Sequence, residues 1–171
     1  MTLATRVIAT ILVNRDRMMV KGRGFAADRV IGVPLQAAQV YSNLREVDEI
    51  LLLDVHATVD GREPPYDMIG EIAESCRVPL AYGGGVSSAA VAAKVIAGGA
   101  DKVVLGRTAE RKPGLVWEVA QRLGSQAIVV SLDVRFGNWA YAPANAAAWA
   151  EHGAGEILLQ SMSRDGTLGG Y

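Results

Sequence analysis

Three consecutive glycines, Gly83, Gly84 and Gly85, follow a short apolar run and precede two serines and an alanine-rich stretch. Glycine lets a backbone approach an anion closely, and a helix N-terminus directs N–H groups and a partial positive charge at it. A tight turn needs only one glycine, so we predict that this loop binds phosphate. Residues 163–167 are a second candidate loop, for which a simple turn is the alternative.

Two aspartates, Asp54 and Asp133, each follow an apolar run that has the composition of a buried strand. In parallel barrels the reactive groups lie where strands end and the following loops begin. A carboxylate facing the mouth of a barrel can act as a general acid or base, especially if burial raises its pKa. We predict that Asp133 is catalytic and that Asp54 contacts substrate; for each, capping a loop is the alternative.

Charged residues stand at the opposite ends of four predicted strands: Arg6, Glu49, Lys102 and Glu156. Such residues at the bottom of a barrel usually face solvent. Two positive and two negative side chains around one rim could equally form a ring of ion pairs. A ring of this kind would close the bore and act as a gate.

No cluster of histidine, cysteine and carboxylate residues has the spacing of metal ligands, so we predict no metal and no cofactor. His56 lies in a predicted loop and is expected to be exposed and incidental. His152, just before a glycine, is expected to end a helix. Cys76 lies in a helical stretch and is expected to be a buried structural thiol.

Short apolar runs rich in Val, Ile and Leu alternate with helix-like stretches along the chain. Continuous apolar runs are typical of strands covered on both faces of a parallel sheet, and the alternation indicates an α/β fold of βαβ units. The predicted strands are residues 7–13, 50–53, 79–82, 103–105, 127–132 and 157–159. The predicted helices are residues 34–46, 65–76, 89–97, 113–124 and 145–151.

The chain also contains an internal repeat. Residues 49–52 recur as residues 156–159, and residues 7–13 align with residues 128–134, which places Leu12 opposite Asp133. The spacing corresponds to about four βα units and favours a (β/α)8 TIM barrel of two similar halves over an open doubly wound sheet.

Such a barrel needs eight strands, and only six are predicted here. We therefore expect residues 1–171 to form a single partial barrel domain that lacks the seventh and eighth strands. An unclosed sheet leaves two edges bare. Either the chain is a fragment, which we expect, or a partner chain closes the gap.

Composition limits the possible partners. The 171 residues are 50% hydrophobic with a net charge of −1, and no basic stripe suggests nucleic acid as a partner. The N-terminus lacks the features of a signal peptide, and no apolar run approaches the ~20 residues of a membrane span. We expect a cytoplasmic protein without a membrane partner.

Matching strings occur in order along almost the whole chain, at residues 47–54, 82–86, 99–103, 124–130, 153–159 and 163–167. In these strings the sequence closely resembles the cyclase subunit of imidazole glycerol phosphate synthase. That subunit is a phosphate-binding barrel of histidine biosynthesis that receives ammonia from a glutaminase partner. In the family, ammonia enters through a charged gate and meets a ribotide held by two phosphates.

The resemblance implies a role for individual residues. The four charged residues at the strand entrances match the gate. Asp133 matches a catalytic aspartate, and Lys21 matches the lysine of a flexible loop. Together with the loops and strand ends considered above, the resemblance gives the predicted residues that bind the phosphorylated small-molecule substrate: Asp54, Gly84, Gly85, Gly106, Arg107, Asp165, Gly166 and Thr167.

Four departures from the family pattern bear on activity. The first catalytic aspartate is replaced by Leu12, which cannot transfer a proton. The usual Asn-Thr of one phosphate loop reads Gly106-Arg107. The segment at residues 136–149 is shorter than its counterpart in the family, and strands seven and eight are expected to be missing.

These departures leave three functions open. The first is a cyclase-like lyase subunit that acts with a glutaminase on the ribotide of histidine biosynthesis. The second is a non-cyclising paralogue that passes ammonia to sugar amidation in surface-polysaccharide synthesis. The chain resembles this subgroup in having a leucine, Leu12, in place of the first catalytic aspartate. The third is an inactive truncated fragment.

Overall fold

The computed structural model describes residues 5–23, 26–134 and 142–169. The strands are β1 (Ile8–Val13), β2 (Met19–Arg23), β3 (Ala26–Gly32), β4 (Glu49–Asp54), β5 (Leu80–Gly83), β6 (Lys102–Leu105), β7 (Ile128–Val134) and β8 (Glu156–Ser161). The helices are α1 (Pro34–Ser42), α2 (Ala57–Asp60), α3 (Tyr66–Ser75), α4 (Ala89–Ala97), α5 (Arg107–Arg111), α6 (Gly114–Leu123) and α7 (Ala142–Glu151). A 3-10 turn at Ser125–Ala127 leads into β7.

The strands form one sheet in the order β3-β2-β1-β4-β5-β6-β7-β8. The six strands from β1 through β4 to β8 are parallel neighbours, whereas β2 and β3 form an antiparallel hairpin on the edge of β1. Helices separate the parallel strands along the chain, as right-handed βαβ crossovers require. The prediction of an incomplete parallel (β/α) barrel is confirmed.

Each of the six parallel strands was predicted from its apolar run, but the hairpin was not. The β2 and β3 strands mix charged, glycine and apolar residues, so they lack the continuous apolar run that marks the other strands. The short helices α2 and α5 were also missed, because one turn is too short to show helical periodicity. Helix α1 was predicted to continue to residue 46. It ends at Ser42 instead, and Asn43 is its C-cap residue.

Side chains alternate between the two faces of each parallel strand. The outer face packs against α3, α4 and α6, in a core that contains Ile11, Ile50, Leu52, Leu80, Val103, Ile128, Ile69, Ile72, Val95, Val116 and Val119. The inner face lines the bore with a smaller cluster: Leu51, Ala81, Val104 and Val129, flanked by Leu53 and Leu158. Full burial of each large aliphatic side chain contributes about 1.5–3 kcal/mol, so these two clusters explain why the strands read as unbroken apolar runs.

No helix within the described ranges is long and apolar enough to cross a membrane.

Tyr82 lies on the outer face of β5 with no solvent exposure. Its hydroxyl has no hydrogen-bond partner among the described residues. Burial and then the nearby Asp54 carboxylate raise its pKa. The ring therefore contributes packing, while the hydroxyl makes no hydrogen bond to the part of the chain that the structure describes.

We expect Tyr82→Phe to leave the free energy of unfolding unchanged or to raise it by about 1 kcal/mol, because the variant removes an unsatisfied buried hydroxyl and keeps the ring. Urea unfolding followed by circular dichroism measures the difference. Leu52→Ala, at a fully buried position on the neighbouring strand, should cost about 2–5 kcal/mol in the same assay. A loss above 1 kcal/mol for Tyr82→Phe would show that the hydroxyl is hydrogen-bonded.

Candidate functional site

Four charged side chains meet at the entrance ends of the parallel strands. Glu49, Lys102 and Glu156 are the first residues of β4, β6 and β8, and alternation with the apolar inner-face residues turns each of them toward the bore. Arg6 precedes β1. We call these four residues the charged ring.

The charged ring is closed by four ion pairs. Lys102 Nζ lies 2.8 Å from Glu49 Oε2 and 2.8 Å from Glu156 Oε1. Arg6 donates to the same two carboxylates, with Nη1 3.1 Å from Glu49 Oε2 and Nη2 2.9 Å from Glu156 Oε2. Each carboxylate therefore accepts from both cations. The four side chains form the ring of ion pairs that the sequence analysis considered for these positions.

Burial makes these ion pairs interdependent. The Glu49 side chain is only 4% exposed and that of Lys102 only 13%. Burial lowers the pKa of Lys102, but hydrogen bonds to Glu156 and Glu49 outweigh it, so the pKa is raised. Burial raises the pKa of Glu156, and hydrogen bonds from Arg6 and Lys102 outweigh it in turn, so the pKa is lowered. Removing one partner would leave a buried charge uncompensated.

A cavity of about 270 Å³ lies directly above the charged ring. Arg6, Glu49 and Glu156 form its floor. Its walls are apolar and come from Ile8, Leu51, Ala81, Val129, Ile157 and Leu158. The bottom of the bore thus combines a charged floor with walls that offer no hydrogen bonds.

Asp133 and Leu12 lie at the other end of the bore. Asp133, near the end of β7, is opposite Gln160 of β8, and Ser131 Oγ lies 3.4 Å from Asp133 Oδ1. Leu12 is opposite Leu53 of β4, so the counterpart of Asp133 in the sequence repeat is an aliphatic side chain. One carboxylate is therefore present at the mouth of the bore where a pair would serve acid–base chemistry.

Asp54 follows the inner-face Leu53, so its side chain points toward the outer side of β4. The carboxylate is 2% exposed and accepts from Arg62 Nη2 at 3.2 Å. It also accepts the backbone N–H groups of His56 at 3.0 Å and Ala57 at 2.8 Å. These contacts cap α2; a contact of Asp54 with substrate stays a prediction.

The glycine loop lies against the segment that follows β4. Gly84 and Gly85 have φ angles of 116° and 69°, which side chains rarely adopt. A Cβ at Gly84 would lie 2.5 Å from the carbonyl oxygen of Asp54, and one at Gly85 would overlap the carbonyl oxygen of Arg62. The N–H of Gly85 donates to Thr58 Oγ1 at 3.0 Å. Close backbone packing thus accounts for these glycines, and their phosphate role stays a prediction.

Helix α4 begins next to the glycine loop. Of the two serines that follow the glycine loop, Ser88 caps this helix: its Oγ accepts the N–H of Val91 at 3.2 Å. The other predicted phosphate loop residue on this side, Gly106, precedes α5, and the Arg107 side chain is exposed. Arg107 forms no ion pair with any residue of the described ranges.

The loop after β8 forms a turn. The backbone N–H of Asp165 donates to the carbonyl of Ser161 at 3.0 Å, and Thr167 Oγ1 donates to the carbonyl of Arg164 at 2.8 Å. Asp165 and Gly166 are exposed. Lys21 is exposed on β2, opposite Arg29 of the hairpin.

Three further residues were considered from sequence. His56 is half-buried rather than exposed, because it lies in the turn that Asp54 caps. His152 follows α7, with Nδ1 2.7 Å from the carbonyl of Ala148. Cys76 is half-buried, and burial raises its pKa. Across the described ranges, no three His, Cys, Asp or Glu side chains group as metal ligands do.

Sequence reasoning missed two described residues: Arg62, which contacts the predicted Asp54, and Ser131, which contacts the predicted Asp133. Arg62 follows Asp60 and Gly61 in an irregular loop, where no periodicity marks it. Ser131 lies two residues before Asp133 on the same strand, and strand alternation is the signal that could have found it.

The profile of the histidine biosynthesis protein family matches residues 6–171. The chain belongs to this family. The chain is 40% identical to imidazole glycerol phosphate synthase subunit HisF of Streptomyces coelicolor. The alignment covers 100% of this chain and 73% of the relative. The same subunit of Streptomyces avermitilis is 39% identical, with 100% and 73% covered. That of Clavibacter michiganensis subsp. michiganensis is 38% identical, with 99% and 70% covered.

Membership of the histidine biosynthesis family confirms the resemblance read from the sequence. The family match begins at Arg6 and so includes all four residues of the charged ring. It also includes Leu12, so the aliphatic side chain at the mouth of the bore is a feature of a chain that otherwise fits the family.

We expect Glu156→Gln to lower the free energy of unfolding at pH 7 by roughly 1–2 kcal/mol, because the variant removes one carboxylate of the charged ring. The pKa of Glu156 is lowered from its ordinary 4.5, so its stabilisation is full above pH 4.5 and is lost as the pH falls through the lowered value. The difference between wild type and variant should therefore shrink on acidification. Urea unfolding at a series of pH values measures it.

Glu151→Gln, at an exposed position on the last turn of α7, is the matched control and should change stability by less than about 0.5 kcal/mol at every pH. A difference for Glu156→Gln that stays constant down to pH 3 would contradict a contribution from the charged form.

Proposed function

We propose that this chain is the cyclase subunit of an imidazole glycerol phosphate synthase, and that it accepts ammonia from a glutaminase partner and acts on a phosphorylated ribotide in histidine biosynthesis. The observation that carries the proposal is the closed charged ring directly beneath the apolar cavity. The names of the relatives, each a subunit of that synthase, support the reaction and the existence of a partner.

The bottom of the bore suits a small neutral molecule. The apolar walls of the cavity disfavour ions, because an ion there would lose its hydration without gaining a partner. Ammonia, uncharged and about the size of water, loses far less. The charged ring could admit it by releasing Arg6, the most exposed of the four side chains, from its two carboxylate partners. The glutaminase would then dock at this end of the bore.

The top of the bore would hold the ribotide. Asp133 is the carboxylate in position to move a proton, and Lys21 lies on the adjacent hairpin. One phosphate would bind between Gly84, Gly85 and the start of α5, where Arg107 offers an exposed guanidinium, which is a strong bidentate donor. The other phosphate would bind at residues 165–167.

Leu12 favours a second candidate, a paralogue that passes ammonia to sugar amidation without cyclising the ribotide. Leu12 lies beside Leu53 and Val20, and none of these side chains donates or accepts a proton. In this alternative the charged ring and cavity keep their role and only the chemistry at the mouth differs.

The first test is ammonia-dependent cyclisation of the histidine-pathway ribotide by the purified chain, followed by product formation. We expect turnover by the wild type and a loss of about 10²–10⁴-fold in Asp133→Asn, because the variant removes the carboxylate proposed to transfer the proton. Leu12→Asp should raise the rate, since it supplies a second proton-transfer group. Glu118→Gln, at an exposed position on α6, should leave the rate unchanged.

No turnover by the wild type together with measurable ribotide binding would contradict cyclisation and support the ammonia-passing alternative. Turnover that survives Asp133→Asn would contradict the role of Asp133.

The second test compares ammonia with glutamine as nitrogen source in the presence of the glutaminase. We expect Lys102→Met to lower glutamine-dependent turnover more than turnover with external ammonia, because external ammonia can reach the mouth of the bore without crossing the charged ring. Lys112→Met, at an exposed lysine outside the ring, should change neither rate. Equal losses with both nitrogen sources would contradict passage through the ring.

A further inference from the structure

A second set of ion pairs lies at the end of the sheet opposite the charged ring. Arg15 binds Asp60 in bidentate fashion, with Nε 2.8 Å from Oδ2 and Nη2 2.8 Å from Oδ1. Arg62 bridges the same carboxylate to the next one, with Nε 3.3 Å from Asp60 Oδ2 and Nη2 3.2 Å from Asp54 Oδ1. We call Arg15, Asp60, Arg62 and Asp54 the top network.

One end of the top network is fixed to the hairpin. Arg15 lies in the turn between β1 and β2, and Asn14 holds this turn together. Asn14 Oδ1 accepts the backbone N–H groups of Asp16 and Met18, both at 3.0 Å. The backbone N–H of Asn14 also donates to the carbonyl of Met18 at 3.1 Å. Because these hydrogen bonds hold the turn together, a displacement of Arg15 also displaces the start of β2, the strand that carries Lys21.

The other end of the top network is fixed to the glycine loop. Asp54 caps α2 through the N–H groups of His56 and Ala57. Thr58 of α2 accepts the N–H of Gly85, and the carbonyl of Arg62 lies against the Cα of the same glycine. The segment that contains Asp60 and Arg62 therefore packs directly against the glycine loop.

We propose that the top network sets the position of the Lys21 hairpin relative to the glycine loop, so that Arg15, Asp60 and Arg62 are positioning residues for the phosphate-bearing substrate. The inference rests on the proposed function for its substrate, and on the contacts above for the mechanical connection. Asp60 is the centre of the connection, because it accepts from both arginines.

Arg17 provides a matched control on the same turn. Arg17 Nη1 lies 2.6 Å from Asp67 Oδ2 of α3, so it also ties the turn to the segment after β4. The Asp67 side chain is 71% exposed, whereas that of Asp60 is 21% exposed. Loss of Arg17 thus removes an ion pair of the turn without breaking the path to the glycine loop.

The test is amide hydrogen exchange of the full chain, measured for wild type, Arg15→Gln, Asp60→Asn and Arg17→Gln. We expect exchange in β2 and at Gly85 to quicken together by about fivefold in Arg15→Gln and Asp60→Asn, as loss of one charge-assisted contact predicts. Asp60→Glu, which keeps the carboxylate, should restore most of the protection. Arg17→Gln should leave Gly85 unchanged.

A second measurement uses inorganic phosphate as the probe, since both the glycine loop and the ribotide share that chemistry. Phosphate should slow amide exchange at Gly85 in the wild type. In Asp60→Asn, the same slowing should require a severalfold higher phosphate concentration. In the ammonia-dependent assay, Asp60→Asn should raise KM severalfold with a smaller effect on kcat.

The outcomes separate the two proposals. Unchanged exchange at Gly85 in both Arg15→Gln and Asp60→Asn would overturn the positioning role, whatever the activity. Coupled quickening of β2 and Gly85 without any effect of phosphate would keep the mechanical connection and overturn the phosphate site of the proposed function. An equal effect of Arg17→Gln at Gly85 would show that any ion pair of the turn suffices, and would overturn the assignment to the top network.

Discussion

The ion pair between Arg6 and Glu156 joins the entrances of the first and last parallel strands, β1 and β8. In the described part of the chain these strands lie at opposite ends of the parallel sheet, and no strand pairing connects them there. Lys102 and Glu49 complete the link from within the sheet, each with little solvent exposure. The curvature of the sheet, the cavity above the ring and the convergence of residues at the mouth of the bore all depend on keeping these two strands facing each other.

Sequence predicted the parts of the fold that have one dominant physical cause. Burial on both faces makes a parallel strand an unbroken apolar run, and all six such runs are strands. The charged ring could be anticipated because the first residue of a barrel strand lies at the rim of the barrel, where a charged side chain can reach solvent or an ion-pair partner. The hairpin had no such signal, since β2 carries Lys21 and Arg23 among apolar residues.

The top network was beyond reach of sequence reasoning for a different reason. Arg15 and Asp60 are 45 residues apart, and Asp60 is the last residue of α2, a helix too short to be recognised from periodicity. Asp54 was predicted at the end of its strand, but its orientation away from the bore follows from the register of β1 with β4, where Val13 is its neighbour. A shift of one residue would have turned it inward. Position along a strand was predictable, and the face of the sheet was not.

The two ends of the bore place different physical demands on their side chains, and this difference bears on the departures from the family pattern. In the charged ring each carboxylate accepts from both cations, so a single replacement unbalances the charges of a partly buried network at a cost of roughly 1–2 kcal/mol. At the mouth, Leu12 packs beside Leu53 and Val20, and an aliphatic side chain there needs no partner. Stability alone can therefore preserve the ring, while it places no demand for a carboxylate at Leu12. The chemistry at the mouth of the bore, and not the presence of the ring, is what separates a cyclising chain from one that only passes ammonia.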